Sequence, residues 1–100
     1  DRDAPSTRAR HLAVSPDIIE DPFTGSATGG MGAYLYANGL ISTTQFTALQ
    51  GATVGRPGIA ACTIVPSSED EGGVAAVEVT GTAAALFTGE LAALPPRISD

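Results

Sequence analysis

The chain has 100 residues, room for one domain at most or a piece of one. Eleven acids stand against five arginines and no lysine, a net charge of −6 that excludes a polycationic nucleic-acid surface and a polybasic membrane anchor. Hydrophobic residues make up 43%, yet no apolar run nears the ~18 residues of a membrane helix, and one cysteine (Cys62) with one histidine (His11) builds neither an internal disulfide nor a cysteine-based zinc site.

A lone thiol suits a reducing, cytoplasmic setting. The chain opens Asp1-Arg2-Asp3, without Met or an apolar leader, so it reads as a fragment, a processed chain or a trimmed one. Residues 1–10 carry five charges and read as an exposed lead-in. His11 to Val14 is a short strand candidate, stopped by Ser15-Pro16. Asp21-Pro22-Phe23-Thr24-Gly25 reads as a turn, because a residue before proline avoids helix and Gly25 permits unusual backbone angles. A helix is predicted from Ser26 or Ala27 to about Ala37, stopped by Asn38-Gly39. Met31, Tyr34 and Leu35 recur at helical spacing, with Met31 and Leu35 expected to be buried. Gly29, Gly30 and Gly32 each cost about 1 kcal/mol relative to alanine, so this helix needs close packing by surrounding strands, and a glycine-rich loop is the competing reading.

The second half looks β. Ile59 to Val65 is an apolar run between Gly58 and Pro66. Ser67 to Gly73 reads as a solvated loop. Val74 to Thr80 and Thr82 to Phe87 are predicted to form a hairpin across Gly81, closed by Gly89, and the tail from Pro95 reads as a chain end. No charge occurs between Asp21 and Arg56, 34 positions expected to be buried or to line a cleft. These elements predict an α+β fold, a short and nearly uncharged helix enclosed by strands.

The chemistry concentrates in Glu20-Asp21-Pro22-Phe23-Thr24-Gly25-Ser26-Ala27. An acid sits on a turn, and hydroxyls and a glycine precede a helix. The first N–H groups of a helix lack intrahelical partners and, with the helix dipole, bind anions. Thr24 and Ser26 add hydroxyl donors. This set suits a small carboxylate substrate whose proton is handled by the nearby Asp21. The same residues also suffice merely to build a turn and cap a helix.

That segment resembles the second-domain signature of the phenazine-biosynthesis PhzF-like isomerases, which share the diaminopimelate epimerase fold. Gln50-Gly51, then Gly55-Arg56-Pro57-Gly58, resembles a second block of the family. Val77-Glu78-Val79-Thr80-Gly81-Thr82-Ala83, followed by Gly89-Glu90-Leu91, resembles its closing hairpin. The resemblance covers residues 8 to 91, as the C-terminal part of a second domain. It implies two pseudo-equivalent α+β domains, each a curved antiparallel or mixed sheet wrapped round a central helix, with the active site between them at the helix N-termini. It implies no metal and no organic cofactor. Asp21 matches the second-domain acid that contacts substrate, and Ser26, with Gly25 and its amides, matches the anion-binding helix end, so that Thr24, Gly25, Ser26 and Ala27 are the candidate substrate-binding residues. The family's principal acid/base is a glutamate of the first domain, and neither that motif nor its partner Gly-Ser-Ala segment occurs in this chain. The diaminopimelate epimerases carry a catalytic cysteine where Asp21 stands, so two-thiol racemisation is disfavoured.

Other candidates have plainer readings. Cys62 lies inside a strand and reads as structural. His11 reads as a packed or exposed residue, Arg56 as a turn or salt-bridge contact, and Glu20 as a solvated or paired acid pointing away from Asp21. Tyr34 is expected in the core, and Tyr36 to hydrogen-bond across a layer. Two functions of different class follow: part of a cofactor-independent isomerase acting on a small carboxylate, or a non-catalytic module binding a small acid or a protein. In either case a complementary N-terminal domain or chain, or a homodimer, is expected to cover the helix.

Overall fold

Alternate residues of two neighbouring segments, Phe46 and Ala48 in one and Ala60, Cys62 and Ile64 in the other, are buried, and they give the sheet its core face. The computed structural model of the chain describes residues 5–14 and 19–98. In order these form β1 (Thr7–Ala9), β2 (His11–Leu12), β3 (Glu20–Asp21), α1 (Gly25–Ala37), β4 (Gln45–Gln50), a 3-10 turn (Ala52–Val54), β5 (Gly58–Pro66) and β6 (Val74–Thr80). The main sheet runs β1-β4-β5-β6, with β1 parallel to β4 and the other pairs antiparallel. A separate antiparallel pair joins β2 to β3. The fold is α+β, a mixed sheet with one helix against it.

The period of two along each strand sets the core. Phe46 and Ala48 of β4 and Ala60, Cys62 and Ile64 of β5 are buried on the helix side, with Val77 and Val79 of β6 packed beside them. Their register keeps inward residues together: Phe46 lies opposite Cys62, and Cys62 opposite Val79. Burial of so many small residues leaves a thin interlayer, and α1 meets it through glycine. A Cβ on Gly32 would stand 2.8 Å from Phe46 Cζ and 3.4 Å from Ile64 Cδ1. Gly32 thus lets the helix axis settle against the Phe46 ring, and this contact offsets the helix-propensity cost.

The helix runs from Gly25 to Ala37, as its punctuation predicts, and Gly39 takes the left-handed conformation (φ +67°) just beyond Asn38. Its packing is less complete than expected. Met31 and Leu35 are only half-buried, and Tyr34 faces outward at 63% exposure rather than entering the core. Of the three glycines expected against strands, Gly29 meets only Val79 Cγ2, at 3.9 Å from a Cβ built there, and Gly30 meets nothing within 4 Å. Tyr36 packs half-buried against the core.

Three further expectations change. The lead-in is not free: Thr7, Arg8 and Ala9 pair with Ala48, Leu49 and Gln50. A strand at Gln45–Gln50 was not anticipated, and the uncharged stretch expected to be buried is mostly exposed or half-buried, its buried residues being Thr28, Gly32, Phe46 and Ala48 to Gly51. Thr82–Phe87 forms no strand; residues 81 to 98 are exposed, without helix or strand. The hairpin lies instead between β5 and β6, across the loop read as solvated. Ser67 Oγ accepts the N–H groups of Glu69 and Asp70 at 3.2 Å each, Ser67 N–H reaches the Gly73 carbonyl at 3.0 Å, and Gly72 supplies a positive φ of 79°. Thr80-Gly81 lacks such internal bonding, and Thr-Gly is a weak hairpin turn.

Candidate active site

β2 and β3 place His11 opposite Asp21 and Leu12 opposite Glu20. Successive strand residues point to opposite sides, so the two adjacent acids are sorted into different surroundings. Glu20 receives a two-pronged contact from Arg10, Nε to Oε1 at 3.0 Å and a terminal nitrogen to Oε2 at 2.9 Å. The Thr53 hydroxyl donates to Oε1 at 2.6 Å. The hydrogen bond from Arg10, then that from Thr53, hold the Glu20 carboxyl down at about 2, and Arg10 is raised in return. Glu20 is therefore a paired acid that ties β3 to the turn after β4.

Asp21 turns toward the start of α1 and is half-buried. The Thr24 hydroxyl donates to Asp21 Oδ2. Gln50, at the end of β4 and 4% exposed, closes the arrangement. Its Nε2 donates to the Asp21 carbonyl at 2.8 Å and to Thr24 Oγ1 at 3.1 Å, while its Oε1 accepts Thr24 N–H at 3.3 Å. One buried amide thus holds both ends of the turn, and its loss would leave buried donors and acceptors unpaired.

The residues after Gln50 complete the support. Gly51 adopts φ +89°, and a Cβ there would collide with the carbonyl oxygens of Pro22 and Arg56. Phe23 lies over Gly58, where a Cβ would stand 2.9 Å from the ring. Arg56 contributes a turn contact through its backbone, N–H to the Gly51 carbonyl at 3.0 Å. The segments 20–24 and 50–58 are therefore two halves of one built turn.

Thr24 occupies the position before the helix with an extended backbone (φ −121°, ψ 99°), and its side chain does not cap the helix. Thr28, buried, closes the first turn by donating both N–H and hydroxyl to the Thr24 carbonyl, at 3.0 and 2.8 Å. The first helical turn holds no acid. Gly25, Ser26 and Ala27 are exposed, and among the described residues nothing accepts their N–H groups. Such groups attract an anion, and Asp21 stands beside them across the Thr24 bridge.

The space around the helix start is divided. Ala27 borders a cavity of about 220 Å³ shared with Ala9, His11, Met31 and Gln50. Gly25 and Ser26 border an open groove between α1 and β6. Asp21 lines neither of these two cavities. Cys62 is buried in the core, and burial pushes its thiol up, which fits a packing residue. Among the described residues no group of three or more His, Cys, Asp and Glu is placed to hold a metal ion. No helix of the described residues is long and apolar enough to cross a membrane.

Sequence reasoning brought Asp21 and Thr24 together correctly and missed the part played by Gln50. The available signal was a polar side chain at the inward parity of Phe46 and Ala48, which a buried strand tolerates only when that side chain is fully bonded.

Residues 2–89 match the family model described as phenazine biosynthesis-like protein (PhzC-PhzF). The chain is 36% identical over 86 residues to an uncharacterized isomerase of Clostridium acetobutylicum, covering 82% of this chain and 28% of that protein. It is 34% identical over 91 residues to the uncharacterized isomerase YddE of Salmonella typhimurium, covering 86% of this chain and 29% of that protein. The chain thus spans less than a third of the length of either relative. The matched range spans the acid-bearing turn, the small-residue helix and the Gln50 loop, and this chain belongs to the phenazine biosynthesis-like protein family.

Proposed function

We propose that this chain is the C-terminal part of the second domain of a cofactor-independent isomerase, which shifts a proton and a double bond in a small carboxylate metabolite. The observation that carries this reading is the pairing of a braced acid with an open helix start. Asp21 is gripped through Thr24, while the N–H groups of Gly25, Ser26 and Ala27 are left without partners beside it. The helix end binds the substrate carboxylate, aided by the Ser26 hydroxyl, and Asp21 assists movement of the proton at carbon. Membership of the family and the names of the two isomerase relatives support the reaction type.

The principal acid/base is proposed to be a glutamate of a complementary N-terminal domain or chain. A second reading is a non-catalytic module that binds a small acid or a protein partner, favoured by the place of Asp21 outside both cavities at the helix start. One experiment separates them. The full-length protein is incubated in D2O with a chelator and a pool of small carboxylic acids, and the pool is read by mass spectrometry. An isomerase adds deuterium at a carbon of one acid. Retention of an acid on the protein without any mass gain favours the binding module.

A further inference from the structure

Gln50 is absorbed by no step above, yet it is the most fully bonded polar side chain near Asp21. Its amide orientation follows from its neighbours. The Thr24 N–H is a donor and needs the amide oxygen, at 3.3 Å, whereas the Asp21 carbonyl is an acceptor and needs the amide nitrogen, at 2.8 Å. A flipped amide would set donor against donor and acceptor against acceptor. With this orientation fixed, Nε2 also points a hydrogen at Thr24 Oγ1, 3.1 Å away. A hydroxyl facing a pure donor accepts from it, so its own single proton must go elsewhere. The acceptor in reach is Asp21 Oδ2.

We infer that Gln50 is a positioning residue that fixes the direction of the Thr24 proton, commits Asp21 Oδ2 to accepting it, and leaves Oδ1 as the oxygen that meets the substrate. Among the described residues no hydrogen bond reaches Oδ1. The order of donation runs one way, from the Gln50 amide to the Thr24 hydroxyl to Asp21, and a buried amide that cannot flip holds that order. This inference rests on the proposed role of Asp21, and it gives the buried polar end of β4 a task beyond bracing the turn.

The test uses the full-length protein and two near-isosteric changes. Gln50→Glu replaces the amide donor with an acceptor and draws the Thr24 proton back toward residue 50. Thr24→Val removes the proton. Each is expected to lower the deuterium-exchange kcat by about tenfold or more, the scale of a charge-assisted hydrogen bond, with KM little changed. The double variant is expected to be no worse than Thr24→Val alone, because Gln50 acts through Thr24. Thr24→Ser is expected to recover most of the loss. Multiplying losses in the double variant would overturn the inference and leave Gln50 as a structural brace. Neutron diffraction on the perdeuterated wild type supplies a readout independent of turnover. A deuteron between Thr24 Oγ1 and Asp21 Oδ2 supports the relay, and one pointing at residue 50 overturns it. Should the wild type exchange no carbon-bound proton at all, the isomerase reading fails, while the neutron result still decides the hydrogen-bond order.

Discussion

Glu20 and Asp21 are neighbours with opposite tasks, and the strand pleat is what separates them. Glu20 faces Arg10 and Thr53, and its folded value of about 2 lies below the ordinary 4.5. A depressed carboxylate adds stability that is complete above about 4.5 and is lost as pH falls toward about 2. Thermal unfolding is therefore expected to show the Tm of the wild type falling across that window. Glu20→Gln should lower the Tm at neutral pH and flatten the acid-side fall; an unchanged slope would show that Glu20 is not its source. Asp21 was legible from the order acid, proline, hydroxyl and glycine, because each residue type restricts its own backbone. Gln50 was not, because a buried glutamine is recognisable only once its three partners are in place.

At the scale of the element, α1 is the informative case. Helix punctuation by the turn that ends at Gly25 and by Asn38-Gly39 depends on local backbone chemistry, so its ends were readable to within a residue or two. The role of each interior glycine depends on what lies opposite, which is a tertiary property. Gly32→Ala is expected to destabilise by about 1 kcal/mol or more, since its Cβ would meet the buried Phe46 ring and overpacking outweighs the propensity gain. Gly30→Ala, with nothing within 4 Å, is expected to stabilise by up to about 1 kcal/mol. Urea unfolding of the two variants checks the pair, and equal shifts would contradict the packing described. β4 was missed because Gln45-Phe46-Thr47-Ala48-Leu49-Gln50 begins and ends in glutamine and has little β-branching. β1 is short and charged, and only its parallel pairing with β4 makes it a strand. The expected strand at Thr82–Phe87 was the reverse error: it was read from its place between Gly81 and Gly89, but no described residue offers it a ladder of hydrogen bonds.

At the scale of the whole molecule, the sheet covers one side of a helix that has no charged face. Tyr34 stands exposed on α1, and Leu86, Phe87, Leu91, Leu94 and Ile98 lie uncovered beyond β6. A complementary domain or chain, as proposed above, would bury these apolar side chains. The 100-residue chain on its own is therefore expected to self-associate in analytical ultracentrifugation and to become monodisperse with a complementary domain. A concentration-independent monomer of 10.0 kDa would contradict that expectation. The central claim concerns the acid beside the open helix start, and the most direct measurement is deuterium incorporation by the full-length protein and its Asp21→Asn variant, in D2O with a chelator. The account predicts deuterium at one carbon of a small carboxylate with the wild type. It predicts a loss of about a hundredfold in Asp21→Asn, on the scale of general acid–base catalysis, with the unfolding midpoint nearly unchanged. Equal incorporation by the two proteins would contradict it and leave Asp21 as a member of a structural turn.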